Sequence, residues 1–110
     1  MKGTHLRFYT YENRKHDGEL LYEWLLERAR HLGVHGGSAF RAIAGFGRHG
    51  VLSEQSFFEL AGALTVLVEF IVSDEDAEAL LRIVREDGAP LFFARFAAEF
   101  GLVGDSGPDR

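Results

Sequence analysis

The distribution of apolar and polar residues predicts four strands in this chain. A period of two is typical of a strand with one buried face. The pattern is clear over residues 4–11 and strongest over residues 63–72, where every second residue from Leu64 to Val72 is apolar. We expect these segments to form the first and third strands. We also expect a second strand over about residues 38–46 and a fourth, apolar on both sides, over residues 91–96.

Two segments carry apolar residues at helical spacing. The first contains a stripe of Leu21, Leu25, Ala29 and Leu32, which is typical of an amphipathic helix. It should end at Gly33, because glycine adopts the left-handed conformation at little steric cost. The second helix should begin after Ser73, with Asp76 three residues on as a variant of the capping box, and should end at Gly88.

The predicted order of strand, helix, strand, strand, helix, strand is that of the ferredoxin-like βαββαβ fold. This is an α+β class in which a four-stranded antiparallel sheet carries two helices on one face. We expect the first and third strands to be adjacent and parallel. Residues 1–103 should form one domain, and residues 104–110, which are rich in glycine and aspartate, should form a flexible tail.

The uncovered face of this sheet is more apolar than a water-facing surface usually is. Its predicted members are Arg7, Tyr9, Tyr11, Leu67, Glu69, Ile71 and Phe92. Exposed apolar patches of this size mark interfaces, so we expect this face to be buried in a homo-oligomer, with Arg7 and Glu69 paired to set the register. The alternative is a monomer with scattered apolar residues on its surface.

Charge and composition exclude several classes of function. Seventeen acidic residues against twelve Lys and Arg give a net charge of −5, which argues against binding the nucleic-acid backbone. The absence of cysteine excludes disulfides and thiolate metal sites. The polar N-terminus does not have the apolar core of an export signal, and the longest apolar run is too short to cross a bilayer, so we expect a cytoplasmic protein.

Residues 45–50 spell G-x-G-x-x-G within a long connection, residues 45–62, whose middle (53–60) we expect to form a helical turn. A dinucleotide fold needs those glycines between a strand and a helix of a parallel unit, whereas here the chain continues to another strand. Clustered glycines can still direct backbone N–H groups at an anion. The candidate ligand-binding residues are therefore Arg41, Gly45, Gly47, Arg48 and His49. The alternative is a solvated loop preceded by an arginine that protects an edge strand.

No catalytic residue and no metal site are predicted. His31 and His35 are four residues apart, but Gly33 should end the helix between them, so they would not share a face. Glu23 and Glu27 lie on the solvated side of the first helix. No serine occurs in a G-x-S-x-G frame.

Three segments together resemble a known bacterial family. They are K-G-T-H-L-R-F-Y-T-Y-E-N, G-E-L-L-Y-E-W-L-L-E-R-A-R-H-L-G and F-R-A-I-A-G-F-G-R-H-G. Over about residues 2–96 the chain is similar to the family of domain of unknown function 190 (DUF190), which is grouped with the PII-like proteins. The resemblance implies a ferredoxin-like subunit, a trimer whose sheets face inward, and a regulatory or ligand-sensing role without a turnover reaction.

The resemblance also implies where a ligand binds. PII-like proteins hold nucleotides or other small anions between subunits, at the base of the loop after the second strand. No cofactor is required, and a membrane transporter or channel is an implied partner. The chain departs from the family at residues 60–65, where an acidic, proline-containing stretch is usual. It also lacks the cluster of basic residues that signalling PII proteins use after the fourth strand to bind triphosphates; Arg95 is the only candidate for that role.

Two other functions are compatible with the sequence. One is a small ferredoxin-like enzyme that acts on an apolar substrate with His49 or His5 as the base. The other is a metal-tolerance protein like the related CutA group, in which histidines meet at a cleft.

Overall fold

The computed structural model describes residues 1–46, 52–53 and 64–104. The main sheet contains four strands: β1 (Lys2–Tyr11), β4 (Ser38–Arg41), β7 (Thr65–Val72) and β8 (Phe92–Glu99). Two helices, α1 (Leu21–Leu32) and α2 (Asp74–Asp87), cover one face. Short strands form two further ribbons, β2 (Lys15–His16) with β3 (Glu19–Leu20) and β5 (Gly45–Phe46) with β6 (Leu52–Ser53).

The sheet has the strand order β4-β7-β1-β8, and every neighbouring pair is antiparallel. The predicted ferredoxin-like α+β fold is therefore confirmed. The predicted parallel arrangement of the first and third strands is wrong, since β1 and β7 run in opposite directions with Arg7 directly opposite Glu69. The reason is topological. The connection through α1 carries the chain back along the sheet, so β4 runs in the same direction as β1. Because β7 pairs antiparallel to β4, it is also antiparallel to β1.

Some boundaries differ from the prediction. The second strand leaves the sheet after Arg41, and residues 45–46 pair instead with residues 52–53. Between β1 and α1 the chain forms the β2–β3 hairpin, which is closed by Asp17 and Gly18 with positive φ angles of 51° and 84°, as a tight two-residue turn requires. Most of the predicted helical turn at residues 53–60, and the tail after Gly104, lie outside the described residues. The domain boundary stays a prediction.

The predicted helix ends are confirmed. The chain adopts a left-handed conformation at Gly33 after α1 (φ 96°) and at Gly88 after α2 (φ 78°). At the start of α2, the Ser73 hydroxyl accepts a hydrogen bond of 3.1 Å from the backbone N–H of Asp76. This bond satisfies one of the N–H groups that a helix leaves without an internal partner.

The two central strands and the helices form the hydrophobic core. The helix-facing side of the central strands is buried, as are the inner faces of both helices; the largest fully buried side chains are Phe8, Phe70, Leu6, Leu21, Leu25, Leu64, Leu80 and Val68. The edge strands are less covered. All four residues of β4 are exposed, and Phe93 of β8, which lies opposite Phe8 on the helix side, is 43% exposed.

The segment between α1 and β4 passes very close to the core at Gly37. A Cβ atom there would lie 2.4 Å from Cε1 and 2.6 Å from Cδ1 of Phe70. Phe70 is almost completely buried, so its ring has no free space to move into. Around the adjacent Gly36 there is open space.

We expect Gly37→Ala to lower the free energy of unfolding by about 1–3 kcal/mol, because the added methyl group overpacks the core. The matched variant Gly36→Ala should stay within about 1 kcal/mol of the wild type. Urea unfolding of all three proteins at one protein concentration measures the difference. Equal stabilities of the two variants would contradict the close packing of Gly37 on Phe70.

Candidate interface and ligand site

Side chains on the uncovered face of the sheet form rows that cross the strands. Residues directly opposite each other in an antiparallel pair point to the same face. The first row is Phe40, Leu67, Tyr9 and Phe92. The next row is Ser38, Glu69, Arg7 and Ala94, and the third is Ile71, His5 and Phe96. A polar row therefore lies between two rows that are largely apolar.

Large apolar side chains on this face are about half exposed in the single chain. The exposed fractions are 51% for Phe40, 48% for Ile71, 53% for Phe92 and 51% for Phe96. Tyr9 contacts Phe92 with ring centroids 5.7 Å apart, and His5 contacts Phe96 at 5.9 Å. All seven predicted interface residues, including Tyr11 opposite Thr65, lie on this face. Their role in assembly stays a prediction.

The polar row contains a cluster of three charged or titratable groups. His5 Nε2 and Glu69 Oε1 lie at a hydrogen-bond distance of 3.0 Å, and Arg7 Nε is 3.9 Å from the same oxygen. Arg7 and Glu69 are thus neighbours, as expected, but Arg7 Nε is buried and has no hydrogen-bond partner among the described residues. Sequence reasoning missed His5 as the partner of Glu69, although the two alternate on the same face. About a third of the Arg7 side chain is exposed, so the polar row keeps a cationic group that is accessible from the uncovered face.

Arg41 is the last residue of β4 and lies on the other side of the sheet. It is opposite Val66, whose side chain faces the helices. Its guanidinium group donates a hydrogen bond to the Glu12 carboxylate, and about half of the Arg41 side chain is exposed. Arg41 thus lies on an edge strand, as the alternative interpretation requires, and its role in ligand binding stays a prediction.

The structure brings Arg41 and Gly45 to the end of the sheet where β7 begins. The backbone N–H of Ala42 donates to the carbonyl oxygen of Thr65 at 2.8 Å, and Gly45 starts β5 opposite Ser53. The other three candidate ligand-binding residues, Gly47, Arg48 and His49, lie outside the described residues. The end of the sheet at Arg41 is therefore the described part of the candidate ligand site.

An open groove lies at the opposite end of the sheet. Its lining includes Thr4, Asp74, Glu78 and Arg95. These four residues are paired with each other: Thr4 donates to Asp74 and Arg95 donates to Glu78, both at 2.6 Å. Thr4 and Thr10, which belongs to the row of Arg41, are six residues apart along β1, about 20 Å, so this groove is separate from the candidate ligand site.

The remaining sequence candidates do not form a catalytic site. Arg30 donates a hydrogen bond to Glu27, which lowers the pKa of the Glu27 carboxyl group below its ordinary value; a general acid at neutral pH would need the opposite shift. His31 lies on α1, whereas His35 follows the helix end at Gly33, so the pair shares no helical face.

One cluster was not predicted from the sequence. His16 and Asp17 of the β2–β3 hairpin lie next to Asp87 at the end of α2. Seventy residues separate Asp17 from Asp87, and no spacing pattern in the sequence connects them.

The family model of DUF190, with the description "Uncharacterized ACR", matches residues 3–88. The chain belongs to the DUF190 family. The resemblance seen in the three sequence segments is thereby confirmed. The chain is 36% identical over 80 residues to a UPF0166 protein from Aquifex aeolicus (strain VF5), which covers 73% of this chain and 76% of that protein. It is 30% identical over 81 residues to a UPF0166 protein from Methanocaldococcus jannaschii, covering 74% of each.

Two solved structures share the fold of this DUF190 protein. One is described as a PII-like signalling protein from Thermus thermophilus, with a TM-score of 0.59, 19% identity and coverage of 88% of this chain and 86% of that one. The other is CPII from Thiomonas intermedia K12 bound to ADP and bicarbonate, with a TM-score of 0.56, 20% identity and 89% coverage of both chains. These similarities establish a PII-like fold. Neither α1 nor α2 has the length and apolar character needed to cross a membrane.

Proposed function

We propose that this DUF190 protein is a ligand-sensing PII-like subunit that forms a homotrimer through the uncovered face of its sheet. A small anionic ligand, such as a nucleotide, binds in the clefts between subunits. The bound state is signalled to a protein partner through residues 45–62. The observation that carries the proposal is the pattern of rows on the uncovered face, where half-exposed aromatic side chains lie on both sides of a polar cluster.

Assembly through this face would remove its apolar surface from water. Covering the exposed half of one phenylalanine side chain stabilises association by about 1 kcal/mol, and each chain contributes three such residues, Phe40, Phe92 and Phe96. The polar row then has a different role. About a third of the Arg7 side chain is exposed, and a guanidinium group carries five N–H donors, so an acceptor from another copy can bind it and fix the orientation of the subunits.

The candidate ligand site contains a cationic group, the guanidinium of Arg41, that can exchange its present acceptor for a ligand. Arg41 is bound to Glu12 at the exposed edge of the sheet, and a phosphate or bicarbonate group can replace that carboxylate as the acceptor, because a guanidinium binds planar and tetrahedral oxyanions well. The structural neighbour from Thiomonas intermedia contains ADP and bicarbonate, which are both anions. This supports the same class of ligand here.

Signalling requires only that the ligand favour one arrangement of residues 45–62 over another. We expect no turnover reaction, no required cofactor and no nucleic-acid partner. The partner we propose is a protein in the cytoplasm or at a membrane, such as a transporter or channel, as the family resemblance implies.

The assembly is tested by measuring mass in solution. Analytical ultracentrifugation should give three times the 12.3 kDa of one chain. Leu67→Glu places a charge in the middle of the first apolar row and should yield monomers, because a buried unpaired charge is costly. Val103→Glu, at a fully exposed apolar residue after β8, should remain trimeric. A monomeric wild type, or a trimeric Leu67→Glu protein, would refute the proposed interface.

Ligand binding is tested by calorimetry with ADP, ATP, cyclic dinucleotides and bicarbonate. Arg41→Gln should weaken binding of the active anion by about 10- to 100-fold, the loss expected for a hydrogen bond to a charged group. Glu12→Gln removes the competing carboxylate and should strengthen binding. Arg82→Gln, an exposed arginine of α2, should leave affinity unchanged.

The trimeric state of each variant is checked first, so that a loss of binding is not confused with a loss of assembly. If no anion produces heat in a folded trimer, or if Arg41→Gln binds as well as the wild type, the proposed ligand site is wrong.

A further inference from the structure

The β2–β3 hairpin and the end of α2 bring together three potential metal ligands. His16 is the last residue of β2, Asp17 begins the turn, and Asp87 is the last residue of α2. One imidazole nitrogen and one oxygen from each carboxylate all lie within 4.8 Å of one another. His16 Nε2 is hydrogen-bonded to Asp87 and is 3.7 Å from Asp17 Oδ2. Two donors on one tetrahedral zinc ion lie about 3.3 Å apart, so His16 and Asp87 would separate slightly and Asp17 would move closer to hold one ion.

The histidine is held in place by the fold. The His16 ring contacts the indole of Trp24 edge to face, with centroids 4.9 Å apart, and Trp24 belongs to the core. Only 14% of the His16 side chain is exposed, whereas 79% of Asp17 and 41% of Asp87 are exposed. The cluster thus combines a fixed nitrogen donor with two oxygen donors that a cation from solution can reach.

The charges around the cluster favour a cation. The carboxyl end of a helix carries a partial negative charge, and Asp87 at the end of α2 adds a full one, which is unfavourable for the helix unless a cation lies nearby. Within the described residues, the ion-pair partner of both Asp17 and Asp87 is His16, and no lysine or arginine nitrogen lies within 4.0 Å of either carboxylate. The fold therefore assembles two carboxylates and a helix end against one imidazole.

We propose that His16, Asp17 and Asp87 bind a divalent transition metal, with zinc as the best fit. Zinc accepts one imidazole nitrogen and carboxylate oxygens in a tetrahedral set, and the remaining position is left for water. The nitrogen donor favours zinc over magnesium and calcium, which prefer oxygen ligands only. This site involves neither the uncovered sheet face nor Arg41, so it does not depend on the proposed function.

The test uses protein without an affinity tag, treated with a chelator and then titrated with zinc chloride. Calorimetry should give one zinc ion per chain. His16→Gln and Asp87→Asn should each weaken zinc binding by more than about 100-fold, beyond the loss expected for an outer-shell change. His35→Gln, an exposed histidine outside the cluster, should bind zinc like the wild type.

A second measurement separates a metal site from a simple hydrogen-bonded pair. Zinc should raise the thermal unfolding temperature of the wild type and of His35→Gln, but not that of Asp87→Asn, because a ligand stabilises only the state that binds it. Circular dichroism checks that each variant folds. If His16→Gln does not fold, zinc binding by Asp87→Asn alone tests the site. Absence of zinc binding by the wild type, or equal binding by Asp87→Asn, would overturn the proposal. Displacement of zinc by excess magnesium would overturn the role of the histidine.

Discussion

The pairing of β1 with β7 is the constraint on which the rest of the structure depends. These two strands carry apolar residues at every second position toward the helices, and their register places Leu6 opposite Phe70 and Phe8 opposite Val68. The same register places Arg7 opposite Glu69 on the other face. A slip of one residue in either strand would move the core side chains of that strand to the other face. The core and the uncovered face are therefore two sides of one pairing, and neither can change without the other.

The two edge strands, β4 and β8, are the least covered part of the sheet. The helices lie over β1 and β7, so β4 and β8 extend beyond the covered area and have accessible surface on both sides. An exposed edge with apolar residues is a liability for a single chain. In this protein the first apolar row runs from one edge to the other, so that a second copy placed on it would cover both edges together.

Much of this fold could be predicted from the sequence because its signals are local. The alternation in β1 and β7, the serine before α2 and the glycine after each helix depend only on neighbouring residues, and each was confirmed. Strand direction was predicted wrongly, because alternation does not report on direction and only the full path through α1 and β4 determines it. The early end of β4 at Arg41 was missed for a similar reason, since the apolar residues that follow it also suit the β5–β6 ribbon.

The sites were less predictable than the fold. The face that carries Arg7 and Glu69 follows from alternation, but the hydrogen bond of Glu69 with His5 depends on diagonal contacts across the pair. Glu12 as the partner of Arg41 and Asp87 as the partner of His16 depend on tertiary contacts between residues 29 and 71 positions apart. No periodicity in the chain encodes such contacts.

The contact of His16 with Trp24 has a practical consequence. Trp24 is the only tryptophan in the sequence, so the intrinsic fluorescence at long wavelength comes from a single indole. That indole lies against the hairpin and within the packed interior at the same time. Its emission therefore provides a label-free optical reporter for one defined place in the molecule. A movement of the β2–β3 hairpin would change this emission even while the helices remain folded.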